Sequence, residues 1–253
     1  MNPAVEVTAR TARAEWSRIW SVRASWALLT VTAVVVLGLS TILAIDVRDL
    51  ARADLPEEGA WAGGQITGLL GMFLVLALAA VTATADHGTG GIVPTLQWTP
   101  RRGVLLTART AVLVAASTAL GVLLVVAGCV LISLVAPDMG LAPADGTHVV
   151  GRIAFVYLTG TALAVGLGLF LRSTAGALVS VIALMLVLPL VIAQFPYEWA
   201  QTIADLLPGR GAIVLIADED VMPVTEARLT LAGWAVAAVV AGGWRLLRTD
   251  ADR

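Results

Sequence analysis

The sequence predicts an all-α integral membrane protein with six transmembrane helices, and three observations support this fold class. First, the chain of 253 residues is 58% hydrophobic and 13% charged, whereas soluble domains are about 45–50% apolar and about 25% charged. Second, six apolar runs each reach the roughly 20 residues that cross about 30 Å of bilayer hydrocarbon as a helix. Third, the segments between them are too short to bury cores of their own. Residues 1–253 therefore form one transmembrane domain.

The predicted spans follow one another along the whole chain. They are Trp26–Ile45, Ile66–Ala85, Thr110–Val135, Ile153–Leu171, Ala175–Gln194 and Leu229–Leu247. About 25 polar-to-amphipathic residues precede the first span, unlike the short basic region of a cleaved signal peptide, so we expect this span to be retained. Pro189 predicts a kink in the fifth span. The row of Gly160, Ala164 and Gly168 predicts close helix packing by the fourth.

Residues 1–25 have the pattern of an amphipathic helix. Apolar side chains recur at helical spacing at Val5, Ala9, Ala12, Trp16, Ile19 and Trp20. Three arginines, Arg10, Arg13 and Arg18, fall on the other side of the helical wheel. This pattern predicts a helix that lies in the membrane interface, with its apolar face toward the hydrocarbon and its arginines toward anionic headgroups.

The distribution of charge predicts the orientation of the spans. With six spans, both chain termini lie on the same side of the membrane. If that side is the cytoplasm, 11 of the 16 arginines lie inside and 5 outside, as the positive-inside rule requires. The acidic residues have the opposite bias, 5 inside and 13 outside, so the net charges are +6 and −8. We therefore expect cytoplasmic termini, and a cytoplasmic connection between the second and third spans.

The residue types that are missing restrict the possible chemistry. All 16 basic residues are arginine, so the chain lacks the lysine that a P-loop places on nucleotide phosphates. Between their flanking arginines the six runs contain no Asp, Glu, Lys, Arg or His, which disfavours ion-driven carriers, haem-binding spans and intramembrane enzymes. The single cysteine, Cys129, cannot form a disulfide within one chain. We expect no catalytic residue, metal site or bound cofactor on this chain, and no nucleic-acid partner.

Residues 86–103 form a short polar and basic connection between the second and third spans. The connection begins at Asp86, continues through glycines and an apolar patch with Leu96 and Trp98, and ends in Thr99-Pro100-Arg101-Arg102. The glycines permit a sharp turn, the proline ends any short helix, and the arginine pair fixes the next span at the headgroups. We predict a short interfacial helix whose apolar side chains contact either lipid or a groove on a cytoplasmic partner.

The order of these residues resembles the ABC-2 type permeases, which are the membrane subunits of bacterial ABC transporters. The matching loop positions are Asp86, Gly90, Thr95, Leu96, Thr99, Pro100, Arg101 and Arg102, followed by Arg109. The resemblance extends over the whole chain, because an amphipathic N-terminal helix precedes six spans and a long outer segment, residues 195–228, precedes the last span. In that segment Leu206-Leu207-Pro208 stands where relatives often carry Leu-Pro.

The resemblance implies two functional segments. Residues 86–103 would form a coupling helix that docks on an ATPase subunit, with the site residues Asp86, His87, Thr89, Gly90, Ile92, Leu96, Trp98, Pro100, Arg101 and Arg102. Residues 195–228 would fold into short re-entrant helices that close the pathway on the outer side, with the gate residues Tyr197, Trp199, Ile203, Leu206, Leu207 and Pro208. ATP and Mg²⁺ would bind to two copies of the partner ATPase. A second permease subunit, identical or homologous, would complete a dimer.

By this resemblance the chain would be the permease of an exporter that moves an amphiphilic compound, such as a drug, peptide or lipid, across the bacterial inner membrane. It would not itself be an enzyme. Two other interpretations of the sequence remain open, namely an ATP-independent carrier or channel, and a membrane anchor or sensor subunit of another complex. Both predict that no ATPase co-purifies with the chain.

Overall fold

A computed structural model describes residues 3–48, 59–89 and 102–248, which form helices joined by short connections. In chain order the helices are α1 (Pro3–Ser21), α2 (Arg23–Arg48), α3 (Ala60–Thr89), α4 (Arg102–Val135), α5 (Pro143–Leu171), α6 (Thr174–Ile192), α7 (Glu198–Asp205), α8 (Pro208–Ala217) and α9 (Val224–Arg248). The described residues contain no β-strand, so the all-α prediction is confirmed for this part of the chain.

Six of the described helices are long and apolar enough to cross a membrane, namely α2, α3, α4, α5, α6 and α9. This agrees with the predicted number of spans, but several helices start earlier than their apolar runs. Helix α4 starts at Arg102 rather than Thr110, and α5 starts at Pro143 rather than Ile153. The apolar run of α4 is interrupted by Arg109, and the first turns of α5 contain polar residues such as Asp145 and Arg152, so hydropathy places both starts too late. A proline suits the first turn of α5, where its missing N–H is not needed.

The connections alternate between two ends of the helix bundle. The first, which we call the loop end, holds α1 and the ends of α3 and α4 that flank residues 90–101. There the hydroxyl groups of Thr84 and Thr174 are hydrogen-bonded at 2.8 Å. The second, which we call the bent-pair end, holds α7 and α8. There the indole N–H of Trp61 donates to the carbonyl of Ala142 at 2.9 Å.

Small residues bring the central helices into close contact. The predicted row on α5 packs against α3, because a Cβ at Gly160 or at Gly168 would lie 3.0 Å from a side chain of that helix. This confirms the packing interpretation of the row. A second close approach joins α5 to α9, since a Cβ at Gly166 would meet the backbone of Ala238. Close contact between helix backbones is typical of membrane bundles, where van der Waals packing replaces the hydrophobic effect between helices.

A buried tyrosine joins three helices near the middle of the bundle. Tyr157 on α5 is fully buried, and its hydroxyl donates to the carbonyl of Gly68 on α3 at 2.7 Å. Its ring also fills the space beside Gly121 on α4, where a Cβ would lie 2.5 Å from the ring. The hydrogen bond satisfies a phenol that would otherwise be costly to bury.

Helix α6 contains a π-helical segment at Ala183–Val187, directly before the proline that predicts a kink. In this segment the N–H of Leu188 donates to the carbonyl of Ala183, five residues earlier. Pro189 cannot donate a backbone hydrogen bond, so the regular α-helical pattern is interrupted at this point. Single π-helical turns inside α-helices are frequent at functional sites.

Candidate functional site

The predicted docking residues lie at or beyond the edges of the described chain. Asp86, His87 and Thr89 belong to the last turns of α3, and Arg102 is the first residue of α4. The other predicted docking residues, Gly90, Ile92, Leu96, Trp98, Pro100 and Arg101, lie outside the described residues. The structure therefore defines the base of this loop, where α3 ends and α4 begins.

A buried ion pair joins α1 to α4 near the base of the loop. Glu15 Oε2 lies 3.8 Å from Arg109 Nε, and the two side chains are 5% and 1% exposed. The other carboxylate oxygen of Glu15 lies 3.4 Å from Arg18 Nη1. The carboxylate is thus placed between two guanidinium groups. Burial lowers the pKa of Arg18 to about 10, with the charge of Arg109 acting in the same direction and that of Glu15 opposing it.

A cavity of about 10 Å³ adjoins this ion pair, and this volume holds about one water molecule. Its lining comes from α1, α3, α4 and the residue between α1 and α2: Glu15, Arg18, Ile19, Val22, Thr82 and Leu113. A phosphate group is too large for this space. The three helices therefore meet at a small cavity that adjoins the carboxylate of Glu15.

The buried side of α1 differs from the apolar side that the sequence predicts. Thr11, Glu15 and Ile19 are buried, whereas Ala9 and Trp16 are exposed. At about 100° per residue, the two stripes lie about a quarter turn apart on the helix. The sequence-based interpretation missed Glu15 because hydropathy assigns an acidic residue to the solvent side. The four-residue spacing from Thr11 to Glu15 to Ile19 is the signal that could have identified it.

Arg109 also differs from its predicted role. The sequence places it just before the third span, as the basic residue that follows the loop pattern, but α4 begins seven residues earlier and carries Arg109 into the bundle. About two helical turns therefore separate this residue from the start of α4. A buried arginine requires a counter-charge and hydrogen-bond acceptors. Glu15 supplies such a counter-charge from a helix that is distant in the sequence.

At the bent-pair end, α7 and α8 meet at an angle of 76°. Most of α8 is buried, and its first turn packs against the π-helical segment of α6. Gly209 approaches this segment so closely that a Cβ would meet the carbonyl oxygen of Met185. Four residues after Met185, Pro189 lacks the N–H that an α-helix would direct at this carbonyl. The interruption in α6 is thus the contact surface for the start of α8, and glycine fits there because it has no side chain.

The predicted gate residues divide between exposed and buried positions. Tyr197 and Trp199 are exposed, and their rings stack at 6.0 Å with an interplanar angle of 11°. Ile203 and Leu206 are also exposed on α7 and at its end. The last two gate residues, Leu207 and Pro208, are buried where the chain turns into α8. The structure therefore places the predicted gate residues on one bent unit, with the last two buried and the other four exposed.

Side chains of α5 and α9 hold the bent pair in place. The indole N–H of Trp234 on α9 donates to the carbonyl of Leu206 at 2.8 Å. An open apolar groove of about 340 Å³ lies beside this contact, between the end of α7 and α9. At the other end of α8, the carboxylate of Asp218 pairs with Arg152 of α5 at 2.5 Å. The two contacts thus restrain the bent pair at the end of α7 and at the end of α8.

The described residues contain no group of three or more His, Cys, Asp or Glu side chains that could hold a metal ion. Comparison with known proteins adds no assignment, because no protein-family model and no curated protein matches the chain. The functional interpretation therefore depends on the loop pattern and on the geometry of the two ends.

Proposed function

We propose that this chain is the membrane-spanning subunit of an ATP-driven ABC exporter in the bacterial inner membrane. Two copies, or one copy and a homologue, form a dimer, and a cytoplasmic ATPase docks on the loop 86–103 of each subunit. The cargo is an amphiphilic compound such as a drug, peptide or lipid. The residue order of the loop, its resemblance to ABC-2 type permeases and the six apolar helices support this proposal.

One structural observation carries the mechanism, namely the path of α3. This helix ends at Thr89, where the loop begins, and it packs on α4, α5 and α8. Residues near its loop end, including Ala79, Ala80 and Ala83, are fully buried. A closely packed helix transmits a displacement to its neighbours with little deformation. Movement of the loop by an ATPase would therefore reach the bent pair through α3.

In this mechanism the bent pair is the outer gate. Helices α7 and α8 form a re-entrant segment, in which α8 enters the bundle from the outer side and α7 lies at the surface. The burial of α8 and the exposure of Tyr197 and Trp199 support this arrangement. ATP-driven displacement of α3 would move α8 relative to α6 and α9 and open or close the pathway.

In this mechanism α1 lies in the inner interface. Its exposed residue Trp16 contacts lipid, and Arg10 and Arg13 face the headgroups. The rings of Trp16, Trp20 and Trp26 form a chain with centroid distances of 5.6 and 5.3 Å. An aromatic cluster of this kind is suited to the level of the headgroups and supports this location.

Docking at the loop can be tested by co-purification. The chain is expressed with the ATPase encoded by a neighbouring gene, and Leu96→Asp and Trp98→Asp are compared with Val221→Asp. Val221 is an exposed apolar residue at the bent-pair end, so its substitution controls for the added charge. We expect the wild-type chain and Val221→Asp to retain the ATPase, and both loop variants to lose it. ATPase retention by the loop variants, or a wild-type chain that retains no ATPase, would contradict the proposal.

A further inference from the structure

Glu15 lies near the base of the loop, beside both helices that flank the loop, α3 and α4. Arg109 follows the start of α4 by seven residues, and Thr82, which lines the adjoining cavity, precedes the end of α3 by seven residues. Both positions are about two helical turns from the loop. Glu15 therefore contacts α4 directly and shares a cavity with α3.

Helix α1 is also fixed to α2. Only Val22 separates the two helices, and the indole N–H of Trp26 donates to the carbonyl of Trp20 at 2.9 Å. The Trp20 and Trp26 rings are in contact across the same joint. A displacement of α1 would therefore pass to α2, the first membrane span.

From these contacts we propose that Glu15 is a positioning residue that holds α1 against the base of the loop, so that α1 and the loop ends of α3 and α4 move as one unit. The role rests on the proposed function, because the movement would come from an ATPase on residues 86–103. It goes beyond membrane anchoring, since an anchor needs only the apolar and basic residues of α1.

The geometry favours an ion-pair contact over apolar packing alone. A carboxylate and a guanidinium that are both buried interact more strongly than an exposed pair, because water screens them less. Removal of one partner leaves the other charge buried, whereas removal of both leaves neither. The pair therefore makes a specific prediction, namely that the double substitution destabilises the chain by less than the sum of the two single substitutions.

A double-mutant cycle tests the contact in the full-length chain without any ATPase. Glu15→Gln, Arg109→Gln and the double variant are compared by their unfolding equilibrium in mixed detergent micelles, with Arg13→Gln as the control on the exposed side of α1. We expect Arg13→Gln to have the unfolding equilibrium constant of wild type. We expect the unfolding equilibrium constant of the double variant to be about tenfold smaller than the value that additive single effects would give. Additive effects would overturn the contact between Glu15 and Arg109.

A distance measurement tests the common movement of α1 and α4. Spin labels are placed at Ser17→Cys and Thr107→Cys, both exposed positions, in a Cys129→Ala background. In dimers that carry one labelled and one unlabelled subunit, we expect one narrow distance distribution that stays the same when ATP and the co-expressed ATPase are added. The substitution Glu15→Gln should broaden it, and Glu15→Asp, which keeps the charge, should restore most of it. An unchanged distribution in Glu15→Gln would overturn the positioning role.

The two proposals fail in different ways. If the wild-type chain binds no ATPase, the proposed function is wrong, while the cycle and the effect of Glu15→Gln on the distance still decide whether Glu15 holds α1. If an ATPase binds and the wild-type distance changes on addition of ATP, the proposed function stands, and α1 does not move with α4. That second result would overturn the inference about Glu15.

Discussion

Substitution of Gly209 tests the packing of the bent pair against α6. In Gly209→Ala the added Cβ would meet the Met185 carbonyl oxygen and lie 2.8 Å from the Met185 Cα atom. Both atoms belong to the backbone, so a side-chain rotation cannot relieve the contact, and α8 or the π-helical segment must shift. Overpacking of this kind costs about 1–3 kcal/mol. Alanine gains at most about 1 kcal/mol over glycine in a helix interior, and less in a first turn, so the steric cost is larger.

The assay is thermal unfolding of the purified chain in detergent. The Tm of Gly209→Ala is compared with the Tm of wild type and of the control variant Gly233→Ala on α9. A Cβ at Gly233 has no atom within 4 Å, so this control adds a methyl group in open space. A loss of 1 kcal/mol lowers the Tm of a chain of this size by about 2–4 °C. We therefore expect Gly209→Ala to unfold below wild type, by about 2–4 °C for each kcal/mol of net loss, and Gly233→Ala to unfold at or above wild type. A wild-type Tm for Gly209→Ala would refute the close approach of α8 to α6.

Two further substitutions test hydrogen bonds that hold the bundle and the bent pair. Tyr157→Phe removes the buried hydroxyl that donates to α3, and we expect a loss of about 0.6 kcal/mol, typical of hydrogen bonds between membrane helices, in the same unfolding assay. Trp234→Phe removes the donor to the carbonyl of Leu206 and keeps an aromatic ring. We expect faster maleimide labelling of a cysteine at Leu206 in this variant, since the end of α7 is then less restrained. Equal labelling rates would show that the hydrogen bond does not hold α7.

The spans could be predicted from the sequence because hydropathy is a local property. The six apolar runs correspond to six long helices in the structure, and the row of Gly160, Ala164 and Gly168 lies on a face of α5 that packs against α3. The helix ends could not be predicted in the same way, since α4 and α5 continue through charged and polar residues that interrupt an apolar run. Backbone hydrogen bonding can continue a helix through polar residues until a cap ends it.

The contacts between distant segments could not be predicted at all. Glu15 and Arg109 are separated by two spans in the sequence, and each alone has the pattern of an interfacial charge. The same holds for Gly209. A side chain does not fit at this position because the π-helical segment of another helix, α6, lies against it. The spacing of Thr11, Glu15 and Ile19 could indicate that Glu15 is buried, but the partners of Glu15 and Gly209 are set by tertiary packing, which no local pattern specifies.

The central claim is that residues 86–103 face the cytoplasm and bind an ATPase, and cysteine labelling at Leu96 tests it most directly. A Leu96→Cys variant in a Cys129→Ala background is treated with a membrane-impermeant maleimide in intact cells and in inside-out vesicles, with and without the co-expressed ATPase. We predict no labelling in cells, labelling in vesicles without the ATPase, and protection when the ATPase is present. Labelling from the outside of intact cells, or equal labelling of vesicles with and without the ATPase, would contradict the account.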